Sequence, residues 1–129
     1  MKISHLAFDV SDMEKSLDFY CGKLGFEKAF SLNDENGNPW IEYIKVCTGQ
    51  FIELFYGGKK ENPKSAYSHL CLQVEDIYEI QERMEAMGVQ IDVPVKQGKD
   101  KNMQCWVHDP DGNRIEFMQI MPQSPQYNS

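Results

Sequence analysis

Long apolar runs are missing from this chain of 129 residues, and none approaches the roughly 18 to 20 residues that a membrane-spanning helix needs. No export signal is expected either, because the N-terminus enters an alternating pattern at once; a soluble, cytoplasmic protein is expected. Basic charge is scarce: thirteen Lys and Arg stand against twenty Asp and Glu, giving −7, and no Lys/Arg cluster suits a phosphate backbone, so nucleic acid is excluded as a partner. No Cys-x-x-Cys pair occurs among Cys21, Cys47, Cys71 and Cys105. A disulfide framework is therefore not expected, and the four read as reduced, mostly buried thiols. What is present is core material, 41% hydrophobic residues with 12% aromatics, enough for one ordinary domain.

One tripeptide is written twice, as Ser4-His5-Leu6 and Ser68-His69-Leu70. Each copy is later answered by an Ile-Glu pair, Ile52-Glu53-Leu54 and Ile115-Glu116-Phe117. The histidines lie 64 positions apart and the glutamates 63. Gly25 and Gly88 match at the same interval, as do Gly49 and Gly112. A period this long is not that of a solenoid and implies two copies of one supersecondary module.

The first copy begins with a strand pattern over Ile3 to Val10, in which Leu6, Phe8 and Val10 share one face and Ile3, His5 and Ala7 the other. Ser11-x-x-Glu14 has capping-box spacing, and Met13, Leu17, Tyr20 and Leu24 predict an amphipathic helix of about three turns ending at Gly25. Strands are expected at Phe26 to Leu32, Trp40 to Cys47 and Gln50 to Tyr56. Asn33 to Pro39 reads as a turn-rich loop and Thr48-Gly49 as a hairpin connection. The second copy predicts a strand over Tyr67 to Val74, a cap at Asp76 and a helical stripe of Ile77, Ile80, Met84 and Met87 stopping at Gly88. Strands at Val89 to Val95, Asn102 to His108 and Arg114 to Met121 follow, the last after the turn Asp109-Pro110-Asp111-Gly112-Asn113. The expected division is thus 1–56 for the first βαβββ module, 57–66 for a linker, 67–121 for the second module and 122–129 for a loose tail. The expected fold class is α+β, with two tandem modules forming an eight-stranded mixed sheet that has both helices on one face.

Parity then selects the residues that carry chemistry. If Leu6, Phe8, Ile52 and Leu54 meet the helices, His5 and Glu53 share the opposite, concave face, and His69 and Glu116 do the same in the second module. Glu53 stands between Phe51 and Phe55 on that face, where an ionised carboxylate is costly unless paired or metal-bound. A lone strand histidine has an ordinary structural explanation; four residues matched in face and period point to a metal centre. Two neutral imidazoles with two carboxylates suit a divalent ion such as Zn, Ni, Co, Mn or Fe, and too few oxygens are on hand for calcium. By the same parity Tyr43, Lys45, Trp106 and Arg114 are candidate substrate contacts, Arg114 for an anion.

The paired modules, the Ser-His-Leu openings, the Asp-Pro-Asp-Gly-Asn turn and the closing Arg-Ile-Glu-Phe resemble the vicinal-oxygen-chelate superfamily, whose best-known member is glyoxalase I. The resemblance runs from His5 to Met121. It implies that His5, Glu53, His69 and Glu116 hold one divalent ion per site, commonly Ni or Zn. It further implies a lyase that takes the hemithioacetal of a 2-oxoaldehyde through an enediolate to a 2-hydroxyacyl thioester, with Glu116 as principal base and Glu53 as the second carboxylate. Homodimers whose metal sites are shared between chains are implied as well, with a small, thiol-linked molecule as substrate and no membrane partner. Related epimerases carry Gln at the Glu53 position, extradiol dioxygenases with Fe(II) use three protein ligands, and drug-binding members generally lack the full set. Glutathione-holding Arg and Asn positions of glyoxalase I read here as Phe8-Asp9-Val10 and Phe55-Tyr56-Gly57, a departure from that pattern.

Overall fold

Period-two burial organises the first sheet. In β1 (His5–Asp9) only Phe8 is buried, and in β4 (Gln50–Phe55) Ile52 and Leu54 are fully enclosed. The computed structural model describes residues 3–58 and 67–129, and the chain divides into two units, Met1–Lys64 and Ser65–Ser129. Positions 59–66, most of the expected linker, lie outside the described residues.

Between β1 and β4 the first unit carries α1 (Met13–Leu17), β2 (Glu27–Asn33) and β3 (Pro39–Cys47). The helix is capped by Asp12, which accepts from the Lys15 backbone N–H at 3.1 Å, so the cap sits one residue beyond the expected Ser11. Over Asp18–Lys23 the helix widens to π geometry, and Phe19 and Leu24, five residues apart, are both buried. That widening brings Phe19 and Tyr20 together against the sheet in place of a strict 3.6-residue stripe, which leaves Leu17 only half-buried. Gly25, at φ 78°, ends it in the left-handed region that favours glycine.

The second unit repeats the order as β5 (Leu70–Gln73), α2 (Ile77–Ala86), β6 (Val93–Gln97), β7 (Met103–His108) and β8 (Arg114–Gln119). Asp76 caps α2 by accepting from the N–H groups of Tyr78 and Glu79. Val93 begins β6 four residues later than the alternation implies, because the Val89 N–H is bound to the Met84 carbonyl at 2.9 Å in closing the helix. Each unit is therefore a βαβββ module. Hydrogen bonds join the eight strands within modules, as mixed sheets of order β1-β4-β3-β2 and β5-β8-β7-β6. First and last strands of a module run parallel, with Ala7 opposite Glu53 and Cys71 opposite Glu116, and the other pairs are antiparallel.

Two further expectations need correction. Only Cys105 is buried among the four free thiols, while Cys47 and Cys71 are exposed. The final segment, expected to be loose, is tied down: buried Asn102 accepts from the Met121 N–H at 2.9 Å, Ser124 is fully buried, and Gln126 donates to Asp100. Those partners are contributed by residues far off in sequence, which local composition does not reveal. No helix among the described residues is long and apolar enough to cross a membrane.

Leu54 is wholly enclosed, whereas Leu6, on the same strand-pair face, is 39% exposed. Leu54→Ala should lower unfolding free energy by about 2–5 kcal/mol in a urea titration. Leu6→Ala should change it by no more than about 0.5 kcal/mol.

Candidate metal centre

Each module brings one imidazole beside one carboxylate. His5 Nε2 lies 3.5 Å from Glu53 Oε1, and His69 Nε2 lies 3.2 Å from Glu116 Oε2. In both pairs the glutamate is buried, at 6% and 5% exposure, while the imidazole reaches solvent. Parallel pairing produces this: a glutamate opposite Ala7 or Cys71 stands two residues along from the histidine, on the same face.

The serines of the repeated tripeptide now have a role. Ser4 Oγ is 3.1 Å from His5 Nδ1, and Ser68 Oγ is 3.0 Å from His69 Nδ1. A hydroxyl there can accept the Nδ1 proton, which leaves the Nε2 lone pair directed to the side on which the carboxylate lies. Two donors that bind one zinc-sized ion at about 2.0–2.2 Å stand roughly 3.0–3.5 Å apart. The two pairs have that separation and that chemistry, so these residues fit a divalent ion two donors at a time. Among the described residues no group of three or more His, Cys, Asp or Glu side chains is gathered for a metal.

The carboxylates have different surroundings. Burial pushes the Glu116 carboxyl above its ordinary range, against the opposing pull of His69 and of the neighbouring Cys71 thiol. Burial, with Glu116 close by, pushes that thiol up to about 12, so it stays protonated. Glu53 stands instead beside the Tyr43 phenol across the strand pair, and the carboxylate raises the phenol's pKa.

The remaining candidates divide between modules. Tyr43 stands directly opposite Glu53 in β3, with Lys45 opposite Phe51 on the same face and exposed. Trp106 stands directly opposite Glu116 in β7; its ring packs against His69 with centroids 4.9 Å apart, and the Arg114 guanidinium lies 4.4 Å from its centroid. Tyr43 and Trp106, both half-buried, therefore share the faces of Glu53 and Glu116 respectively.

Two polar groups were missed from the sequence. Glu42, buried on the helix side of the first sheet, accepts from Ser31, from Tyr56 at 2.9 Å and from Lys28 at 2.9 Å. Burial pushes its carboxyl up, but these three donors outweigh that and leave it lowered, as suits a structural anion. His108, the third histidine, pairs through Nδ1 with Asp92 at 2.7 Å. Only the parity of Glu42 with Ile44 could have signalled the first, and nothing local signals the second.

A family model described as Glyoxalase/Bleomycin resistance protein/Dioxygenase superfamily matches residues 2–117. The chain belongs to that superfamily. Among superfamily relatives, the lactoylglutathione lyase of Haemophilus influenzae is 33% identical over 131 residues, covering 92% of this chain and 93% of its own. That of Neisseria meningitidis serogroup A is 32% identical over 127 residues, covering 92% and 91%. The crystal structure of TnmS3, an antibiotic binding protein from Streptomyces sp. CB03234, superposes with a TM-score of 0.76 at 25% identity, covering 94% and 97%. The superfamily fold is thus shared by proteins named for catalysis and for binding.

Because Glu116 is raised, the folded metal-free protein favours its protonated form. That contribution to stability is complete below the ordinary carboxylate pKa and is lost as pH rises through the raised one. Metal-free Glu116→Gln should therefore match wild type in acid and exceed it in melting temperature at neutral pH. A constant difference at every pH in thermal scans would contradict the assignment.

Proposed function

We propose that this protein is a metal-dependent lyase of the glyoxalase I type, acting on the hemithioacetal of a 2-oxoaldehyde. The carrying observation is the duplicated His-Glu pair at 3.5 and 3.2 Å, each imidazole backed by its own serine. Relatives named lactoylglutathione lyase over more than nine-tenths of the chain support it. His5, Glu53, His69 and Glu116 would hold one divalent ion per site, Ni or Zn in first place and Co, Mn or Fe as further fits. Since a module supplies two ligands, the reading includes a homodimer in which two chains contribute to each site. When bound, such an ion supplies Lewis-acid stabilisation of negative charge developing on the substrate's oxygens.

The chain's own part is proton movement and orientation. Glu116 takes the proton of the substrate's C–H bond, whose electron pair becomes the double bond of an enediolate; the same carboxyl returns the proton to the neighbouring carbon, giving the 2-hydroxyacyl thioester. A carboxylate raised by burial suits this exchange near neutral pH better than an ordinary one. Glu53 is the second carboxylate, and Arg114, stacked on Trp106, is placed to meet an anionic substituent. Asp9 puts a carboxylate on the His5 face of β1, unfavourable for a glutathione carboxylate, so the thiol carrier is expected to differ.

A second reading, sequestration of an aromatic drug, draws on the rings of Phe30, Tyr43 and Phe51 clustered on the ligand face and on the likeness to TnmS3. Reconstitution separates the two. Protein loaded with Ni, Zn, Co or Mn should form thioester from methylglyoxal and at least one of several thiols, followed by absorbance. Glu116→Gln should lose at least about 100-fold in kcat while remaining folded. No thioester with any metal and thiol would remove the lyase reading.

A further inference from the structure

Trp106 and Glu116 stand opposite one another across β7 and β8, and the next pair along the same face is His108 and Arg114. Val107 and Ile115, which lie between these rows, are fully buried on the other face. Arg114 is exposed, and its guanidinium is laid 4.4 Å from the Trp106 ring centroid. Among the described residues it has no carboxylate within ion-pairing distance, although acidic side chains outnumber basic ones twenty to thirteen in this chain. His108 is oriented from behind: Asp92 Oδ2 lies 2.7 Å from Nδ1, and the other Asp92 oxygen accepts from the Gln90 amide at 3.4 Å. An ionised carboxylate only accepts, so Nδ1 carries the proton there, and Nε2 is left without a partner among the described residues. The two other carboxylates that might quench these cations are engaged, Asp92 by His108 and Glu116 by His69.

We propose that His108 and Arg114 form an oxyanion subsite beside Glu116, so that the substrate of this site carries a carboxylate or phosphate group. Arg114 offers a planar fork of N–H donors whose orientation is held by the indole. Doubly protonated, His108 gives one N–H to Asp92 and the other to the anion. His108 is the diagonal cross-strand neighbour of Glu116, a separation of about 7–8 Å that one small substrate spans. The same Trp106 ring also packs against His69, so subsite and ligand pair share one wall. In the first module the places 63 positions earlier hold Lys45 and Phe51, with Phe51 among the rings of Tyr43 and Phe30, so the paired donors belong to the second module alone. The inference rests on the lyase reading for the role of this face, whereas the anion contact itself needs neither metal nor turnover.

With only three histidines in the chain, the imidazole C–H signals in NMR report the contact residue by residue. The full-length metal-free protein is titrated separately with acetate and with inorganic phosphate, at fixed pH and with chloride holding the ionic strength constant. The His108 signals, identified by their loss in His108→Gln, should shift saturably with at least one of the two, and which one assigns the group as carboxylate or phosphate. Arg114→Gln should weaken that binding at least about 10-fold, and Arg114→Lys, which keeps the charge but not the fork, by less. No shift at His108, or the same affinity in Arg114→Gln, would overturn the subsite. In the zinc- or nickel-loaded enzyme, methylglyoxal with 3-mercaptopropionate should be turned over with at least about 10-fold higher kcat/KM than with the neutral 3-mercaptopropanol, a preference lost in Arg114→Gln. Equal use of both thiols would overturn the substrate class and leave the lyase reading standing. Anion binding at His108 in a protein that turns over neither thiol would overturn the lyase reading and leave the subsite standing.

Discussion

The register of the parallel strand pair in each module is the constraint from which the rest follows. With Ala7 opposite Glu53 and Cys71 opposite Glu116, a histidine two residues before either neighbour falls beside the carboxylate on the face turned from the helix. A slip of one residue would turn the glutamate into the helix-packing side and expose Ile52 or Leu54 in its place. The core and the ligand pair therefore enforce one another: burial of Ile52, Leu54, Ile115 and Phe117 holds the alignment, and the alignment presents Glu53 and Glu116.

The two modules share the pair and differ in what surrounds it. Both modules keep the serine hydroxyl beside the histidine Nδ1. Around the glutamates the modules part company. Aromatic rings and a phenol line the first, whereas an arginine on an indole and a protonated thiol line the second.

Much of this was legible because it is periodic. Two-residue alternation located His5 and Glu53 on the face away from Phe8 and Leu54, and the 63-residue repeat tied the second pair to the first. Boundaries were less legible where hydrogen bonds compete. Val89 reads as strand but is spent on closing α2, and Ser11 reads as the cap where Asp12 takes the position. Long-range polar contacts left no local trace: Asn102 anchoring Met121, Asp92 orienting His108, and Lys28 with Ser31 and Tyr56 neutralising Glu42. The widening of α1 over Asp18–Lys23 was equally hidden, since it answers to the packing of Phe19 and Tyr20.

The central claim is that two ligand pairs, each incomplete, make one metal centre. Equilibrium dialysis against zinc, comparing wild type with His5→Ala/Glu53→Ala and with His69→Ala/Glu116→Ala, addresses it most directly. The account predicts tight binding near one ion per chain in wild type and its loss when either pair is removed. Tight binding that survives the removal of one pair undiminished would contradict it.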